Sequence, residues 1–350
     1  MIPVVGRLLP QLIRRGVGRF RAEIVRALVI TEVRRLVQSD RTIIFGPWLG
    51  EVGFELLYWV PFLKWVINST GLNPSRIVAF SRGGSASWYQ DITTRYIDIF
   101  DLLTVEEFRA GNVQRRMELG EQKQVLNTLF DQEVVSSART RAELSDALIL
   151  HPSLMYRLMQ AYWWSHVPLA WVTRHSVYQQ VKLPDLPKEL GLIPGEYVAV
   201  KFYANDCFSM GVTEQRYSSA VINEIASVCP VVSLTTDLSI DDHQNVEQRY
   251  PNVTTLAGRV TARNNLDVQT AVVGNAKAFI GTYGGFSYLA PLCGVPTIAL
   301  YDDASRFDDS HLRVARAMVE KIQAPPFCAR SMRTTSPTAV TSFVQGDKCD

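Results

Sequence analysis

The sequence predicts an α/β protein built from two parallel-sheet domains that face one another across a cleft. Three observations lead there. The 350-residue chain is long enough for about two domains. Short apolar runs alternate with helix-length stretches in both halves of the chain. A proline-rich polar stretch, Leu183-Pro-Asp-Leu-Pro187 with Leu192-Ile-Pro-Gly195, lies between the two periodic regions and reads as a linker. The boundaries follow: a basic N-terminal helical segment at 1–40, a first α/β domain with a helical insert at 41–182, and a second α/β domain at 183–350.

The N-terminal segment carries eight arginines (Arg7, Arg14, Arg15, Arg19, Arg21, Arg26, Arg34 and Arg35) against Glu23, Glu32 and Asp40, with no lysine. Leu9, Leu12, Ile13, Val17, Phe20, Ile24, Ala27 and Leu28 recur at three- and four-residue steps, giving one apolar stripe flanked by arginine. Such a helix suits either an anionic membrane surface or a berth on its own protein with a solvated basic face.

In the first domain, Arg41-Thr-Ile-Ile-Phe45 reads as a buried strand and is followed by Gly46-Pro-Trp-Leu-Gly-Glu-Val-Gly53, a glycine-rich loop. A helix is expected over Phe54 to Ile67, broken or restarted at Pro61. Arg76-Ile-Val-Ala-Phe80 is a second strand and Ser81-Arg-Gly-Gly-Ser85 a second glycine loop, completing the β-loop-α-β unit of a parallel sheet. Residues 101–178 read as largely helical, with Tyr162-Trp163-Trp164 as core or as a cleft wall. In the second domain, Tyr197 to Phe202, Val231 to Thr235, Val253 to Leu256, Ala278 to Gly281 and Thr297 to Tyr301 are short apolar strands separated by helical stretches.

Composition excludes several classes. Hydrophobic residues make up 47% and charged residues 20%, with net charge +2, which gives no reason to expect nucleic acid. The five cysteines form no C-x-x-C pair and are odd in number, against a disulfide framework and for a reducing, cytoplasmic setting. The five histidines lack ligand spacing, and no Asp-x-Asp triplet occurs, so no metal site is expected. No apolar run reaches the roughly 18 to 20 residues of a membrane-spanning helix.

Two stretches carry chemistry. In Phe279 to Tyr301, FIGTYGGFSYLAPLCGVPTIALY, a strand runs into a glycine turn and a helix, with the hydroxyls of Thr282 and Ser287 around Gly284-Gly285. Backbone can approach a ligand closely there, and the helix beginning near Phe286 offers free N–H groups and its positive dipole end. A diphosphate suits such a place. The other stretch, Gly46 to Phe62, sets Glu51 and Glu55 among glycines and aromatics, where a carboxylate is either a solvated capping group or held for chemistry. Gly50 and Gly53 favour an irregular loop at Glu51 and the first helical turn at Glu55.

The Phe279 to Tyr301 stretch resembles the GT-B glycosyltransferases, whose domains are Rossmann-like, and in particular the lipopolysaccharide heptosyltransferases of glycosyltransferase family 9. Their segment reads approximately I-G-x-D-S-G-x-x-H-L-A-A-A-L-G-x-P-T-x-x-L-(F/Y). The resemblance continues upstream through Leu256 to Gly281, LAGRVTARNNLDVQTAVVGNAKAFIG, so that it covers about the last third of the chain. Tyr283 and Gly284 stand where the family has Asp-Ser and Tyr288 where it has His, so only backbone contacts to a donor carry over there. Gly50-Glu51 followed by Pro61 is similar to the family's glycine-acid pair and proline at the first β-α loop.

The resemblance implies a metal-independent, inverting glycosyltransferase with no cofactor beyond its nucleotide-sugar donor. It implies donor contacts from Lys201, Arg216, Gly258 and Arg263 as well as from Thr282, Gly284, Gly285, Phe286 and Ser287. Glu51, with Glu55 as the alternative, would be the base that deprotonates a saccharide or lipid-linked saccharide acceptor. A nucleotide-sugar epimerase of the same fold and a catalytically silent nucleotide- or sugar-binding partner remain open.

Overall fold

The computed structural model describes residues 11–120, 123–205, 208–209, 211–240, 253–302 and 309–347. Side chains are described from residue 16 onward, so Leu9 of the apolar stripe lies outside the description, as do the side chains of Leu12 and Ile13.

Helix α1 (Gln11–Gln38) precedes the first sheet, whose strands are β1 (Ile43–Phe45), β2 (Ile77–Ser81), β3 (Tyr96–Asp98) and β4 (Leu148–Leu150) in the spatial order β3-β2-β1-β4, all parallel. Between β1 and β2 a helical run consists of α2 (Val52–Phe54), a π-turn over Glu55–Trp59 and α3 (Val60–Thr70). Helices α4 (Val105–Leu119), α5 (Leu129–Arg141), α6 (Ser153–Trp163) and α7 (Ala170–Arg174) complete the first lobe.

The second sheet, β5 (Val198–Lys201), β6 (Val231–Ser233), β7 (Val253–Thr255), β8 (Ala278–Thr282), β9 (Thr297–Tyr301) and β10 (Phe327–Ser331), is ordered β10-β9-β8-β5-β6-β7 and is also all parallel. With it come α8 (Val212–Ala226), α9 (Asn265–Gly274), α10 (Gly285–Leu292), α11 (Asp309–Lys321) and α12 (Pro337–Gln345). Two parallel α/β lobes are therefore present, as the alternating pattern predicts. One apolar core cluster contains residues of both lobes, so they are packed together rather than held apart.

Several expectations are corrected. Three strands escaped the apolar-run reading: β3, β4 and β10 hold only half-buried or very short apolar stretches. Of the two outcomes expected at Pro61, the restart is found: after the π-turn α3 begins at Val60 with Pro61 in its first turn, and the chain stays helical throughout. Pro61 has no N–H to return to the preceding turn, and the carbonyl of Leu57 is met instead by the Tyr178 hydroxyl at 3.1 Å, while the π-turn takes up the change in register. Helix α1 lies against α6 and β4, and the face it buries is Gly18, Ala22, Val29 and Val33, not the predicted stripe. Cys328 on β10 is disulfide-bonded, which counts against the fully reduced set of cysteines expected from their odd number. Among the described residues no helix is long and apolar enough to cross a membrane.

Candidate active site

The carboxyl ends of both sheets meet in one region. From the first lobe comes the loop after β1, whose peptide groups are fixed by a buried polar network. Gln124 accepts from the Leu49 N–H at 2.8 Å and donates to the Pro47 carbonyl at 2.9 Å. Arg115 donates to the Leu49 carbonyl at 3.2 Å, and Arg82 to that of Gly50 at 3.1 Å. Asp131 anchors the network from beneath: it accepts from Gln124 at 2.8 Å and lies 3.4 Å from both Arg115 and His151. Burial alone would raise the Asp131 carboxyl, but the hydrogen bond and charge of His151, the Arg115 guanidinium and Thr128 overcome it and hold the group down at about 2.

This loop delivers Glu51 to the position before α2, with extended backbone and an exposed side chain. Glu55 has the opposite fate. The π-turn rotates it into the lobe, where it is fully buried and accepts hydrogen bonds from Ser81 Oγ at 2.6 Å and Tyr89 Oη at 2.5 Å. It stands in the first turn as the sequence suggests, but its carboxylate meets Ser81 and Tyr89 rather than the free N–H groups of the helix start. Burial, and after it the Glu55 carboxylate, push the Tyr89 phenol well above its ordinary range, so that hydroxyl remains a donor.

From the second lobe comes the β8–α10 turn. Thr282 is buried, its hydroxyl accepting from the Tyr203 N–H and donating to the Tyr203 carbonyl, both at 3.1 Å, so it ties β8 to the end of β5. The Gly284 N–H donates to Ser287 Oγ at 3.0 Å, and that hydroxyl returns a bond to the Gly284 carbonyl at 2.7 Å. Gly284 has φ +156, and a Cβ there would overlap the Tyr203 hydroxyl. Gly285, Phe286 and Ser287 form the first turn of α10, whose N–H groups have no partner within the helix. Lys201 stands beside that turn, its ammonium 4.0 Å from the centre of the Phe286 ring and donating to Gln269 Oε1 at 2.6 Å.

The two glycine loops touch. A Cβ on Gly285 would come 2.9 Å from the Gly53 nitrogen and 3.0 Å from Val52 Cγ1, so only glycine allows this approach. Glu51 comes two positions before Gly53, whose backbone meets the start of α10. A wall of rings adjoins it: Phe54, Tyr58, Tyr156, Trp163 and His311 lie with centroids 5.0 to 6.2 Å apart, and Lys123 caps Phe54 and Trp163 at 5.1 and 5.3 Å. Tyr58 hydrogen-bonds His311 Nδ1 at 2.6 Å and Tyr162 donates to the Ser310 carbonyl at 3.0 Å, so this wall also joins the lobes.

The remaining sequence-derived residues lie apart from that contact. Arg263 forms an ion pair with Asp101 of the first lobe, next to the Gly83 carbonyl that accepts from the Leu266 and Asp267 N–H groups at the start of α9. The second glycine loop therefore caps a helix of the other lobe. Gly258, at φ +70, lies on an exposed loop and donates its N–H to Asp237 at 3.1 Å. Arg216 is exposed on α8, and no described contact joins it to the β8–α10 turn. Sequence reasoning missed Tyr203 and Asn205, which follow β5. Asn205 donates to the Tyr283 carbonyl at 2.8 Å and shapes the glycine turn. Their position just after the Lys201 strand end was the available signal.

No protein-family model matches the chain, and no curated protein does. Among solved structures it is similar to the ADP-heptose lps heptosyltransferase II of E. coli, at 12% identity over 87% of this chain and 97% of that one, with TM-score 0.45. It is also similar to a family 9 glycosyl transferase of Veillonella parvula, at 10% identity over 89% of this chain and 99% of that one, with TM-score 0.47. A third is the glycosyltransferase SnogD of Streptomyces nogalater, at 15% identity over 88% and 100%, with TM-score 0.37. At these values the likeness assigns no activity to this chain.

Proposed function

We propose that the chain is a GT-B glycosyltransferase that moves a sugar from a nucleotide-sugar donor to a saccharide or lipid-linked saccharide acceptor, with inversion and without a metal ion. The observation that carries this reading is the Gly53–Gly285 contact, which sets an exposed carboxylate, Glu51, beside a helix start furnished with a lysine. Those are the two chemical needs of the reaction. Glu51 takes the proton of the acceptor hydroxyl as its oxygen attacks the anomeric carbon. The bond from that carbon to the diphosphate breaks, and its electron pair leaves with the nucleoside diphosphate. The growing negative charge is met by the N–H groups of Gly285 and Phe286, the α10 dipole and Lys201.

Thermal shift with UDP, GDP, ADP, CMP and their sugars tests the donor site, because a ligand that binds only the folded state stabilises it by RT ln(1 + [L]/Kd). One nucleoside diphosphate should raise the melting temperature, and Lys201→Met should weaken the affinity drawn from that shift about tenfold, the scale of one charge-assisted contact. No shift from any of them, or one that Lys201→Met leaves intact, overturns the assignment. Conversion of a donor sugar with no acceptor present would mark an epimerase instead.

A further inference from the structure

Helix α1 has two apolar faces, and among the described residues only one is covered. Gly18, Ala22, Val29 and Val33 are buried against the first lobe. On the outer side Val17, Phe20, Ile24 and Leu28 are 43%, 68%, 45% and 61% exposed, at the three- and four-residue steps of a single stripe. A further exposed ring lies near the start of the helix: Trp164 is 62% exposed and packs edge-on against His166, which in turn lies against Gly18 of α1.

The charges bordering the stripe are one-sided. Both glutamates of the helix are paired, Glu23 with Arg26 at 2.7 Å and Glu32 with Arg157 at 2.5 Å. Arg19, Arg21, Arg34 and Arg35 are exposed and make no ion pair among the described residues. On a helical projection Arg21 and Arg34 flank the stripe on opposite sides and Arg35 continues its line, while Arg19 lies toward the buried face.

We infer that the outer face of α1, together with Trp164, docks on an anionic lipid surface. Lipid accepts an exposed apolar stripe with an indole near it, and its negative headgroups neutralise arginines along both borders. A second copy of the chain fits worse, because a symmetric pairing of this face would bring two sets of unpaired arginines together. The inference stands whether or not the cleft transfers sugar.

Co-sedimentation with vesicles of phosphatidylcholine alone and of phosphatidylcholine mixed with phosphatidylglycerol tests it. The full chain should bind the mixed vesicles, bind the neutral ones weakly, and be released at about 1 M salt, where the screening length is about 3 Å. Arg21→Gln and Arg34→Gln should each weaken binding about fivefold, the equivalent of about 1 kcal/mol per arginine near the surface. Phe20→Glu, Leu28→Glu and Trp164→Glu should each weaken it about tenfold or more. Met117→Glu, at an 81% exposed site on α4 and away from the stripe, should change nothing. No binding to either vesicle, equal binding to both, or indifference to the stripe variants overturns the inference. So does lipid-free self-association, seen by ultracentrifugation, that Phe20→Glu abolishes.

Discussion

Gly53 and Gly285 meet backbone to backbone across the two lobes, with room for no side chain at position 285: a Cβ there would press on Val52 and on the Gly53 nitrogen at 2.9 Å. The contact brings the loop that carries Glu51 against the helix start proposed to hold the diphosphate. Substitutions on its two sides should differ in severity. At Gly53 a Cβ would stand 3.3 Å from the nearest atom of Gly285, which a shift of a few tenths of an ångström relieves. Gly53→Ala should therefore cost turnover several-fold, on the scale of about 1 kcal/mol of strain. Gly285→Val should separate the lobes and abolish turnover while each lobe stays folded. Small-angle scattering checks this: the radius of gyration should rise for Gly285→Val and stay parental for Gly53→Ala.

The Tyr178 hydroxyl answers a carbonyl that Pro61 leaves without a backbone donor, so it should matter only while the proline is present. Tyr178→Phe is expected to lower stability by about 1 to 2 kcal/mol, the cost of a buried carbonyl losing its partner. In a Pro61→Ala background, where the backbone can donate again, the same change should cost less. Urea unfolding of the four members of this double-mutant cycle gives the coupling directly.

Legibility followed local apolar pattern and ended where partners are distant in sequence. The strands β1, β2, β5, β6, β7, β8 and β9 were readable because their apolar runs are bounded by turn residues. The glycine turn at 284–285 was readable as a strand-glycine-helix order. Neither the Gly53–Gly285 contact nor the burial of Glu55 was. Glu55 looked like a dipole-facing first-turn glutamate because Gly50 and Gly53 favour a loop that ends just before it. What turns it inward is the π-turn, and the donors that receive it are Ser81 and Tyr89, 26 and 34 positions away. In α1 the pattern itself was ambiguous: two apolar faces share one helix, and the sequence cannot say which one the first lobe covers.

The buried network beneath the Glu51 loop gives a pH prediction. The Asp131 carboxyl is depressed to about 2 in the fold and returns to the ordinary value near 4 in the unfolded chain. Protonation therefore favours unfolding. The contribution of Asp131 is fully present above about pH 4, amounts to about 2 kcal/mol there, and is lost as the pH falls toward 2. Asp131→Asn should lower stability by about that amount or more at neutral pH, and the gap between variant and parent should shrink on acidification from pH 5 to pH 2. Denaturant unfolding across that range is the measurement. A gap that does not change with pH would show that Asp131 acts through packing alone.

Glu51 and Glu55 should separate cleanly into one residue that serves turnover and one that serves stability. Glu51 is exposed at the start of α2, its loop peptides clamped by Gln124, Arg115 and Arg82, so its removal disturbs little packing. Glu51→Gln should cut turnover about a hundredfold or more, the usual scale of general-base catalysis, with donor affinity and melting temperature near parental. Glu55 is buried under two donated hydroxyl bonds. Both hydroxyls donate to Oε1, so Glu55→Gln can keep an amide oxygen there, but it exchanges a charged acceptor for a neutral one and buries an N–H₂ group in place of Oε2, so it should lower stability by about 1 to 3 kcal/mol. Turnover per folded molecule should change less than for Glu51→Gln. A second readout separates base from scaffold: the low-pH limb of kcat/KM should vanish in Glu51→Gln and persist in Glu55→Gln. Full activity in Glu51→Gln, with collapse in a stably folded Glu55→Gln, would move the proton-accepting role to the buried carboxylate and require that the π-turn open during the reaction.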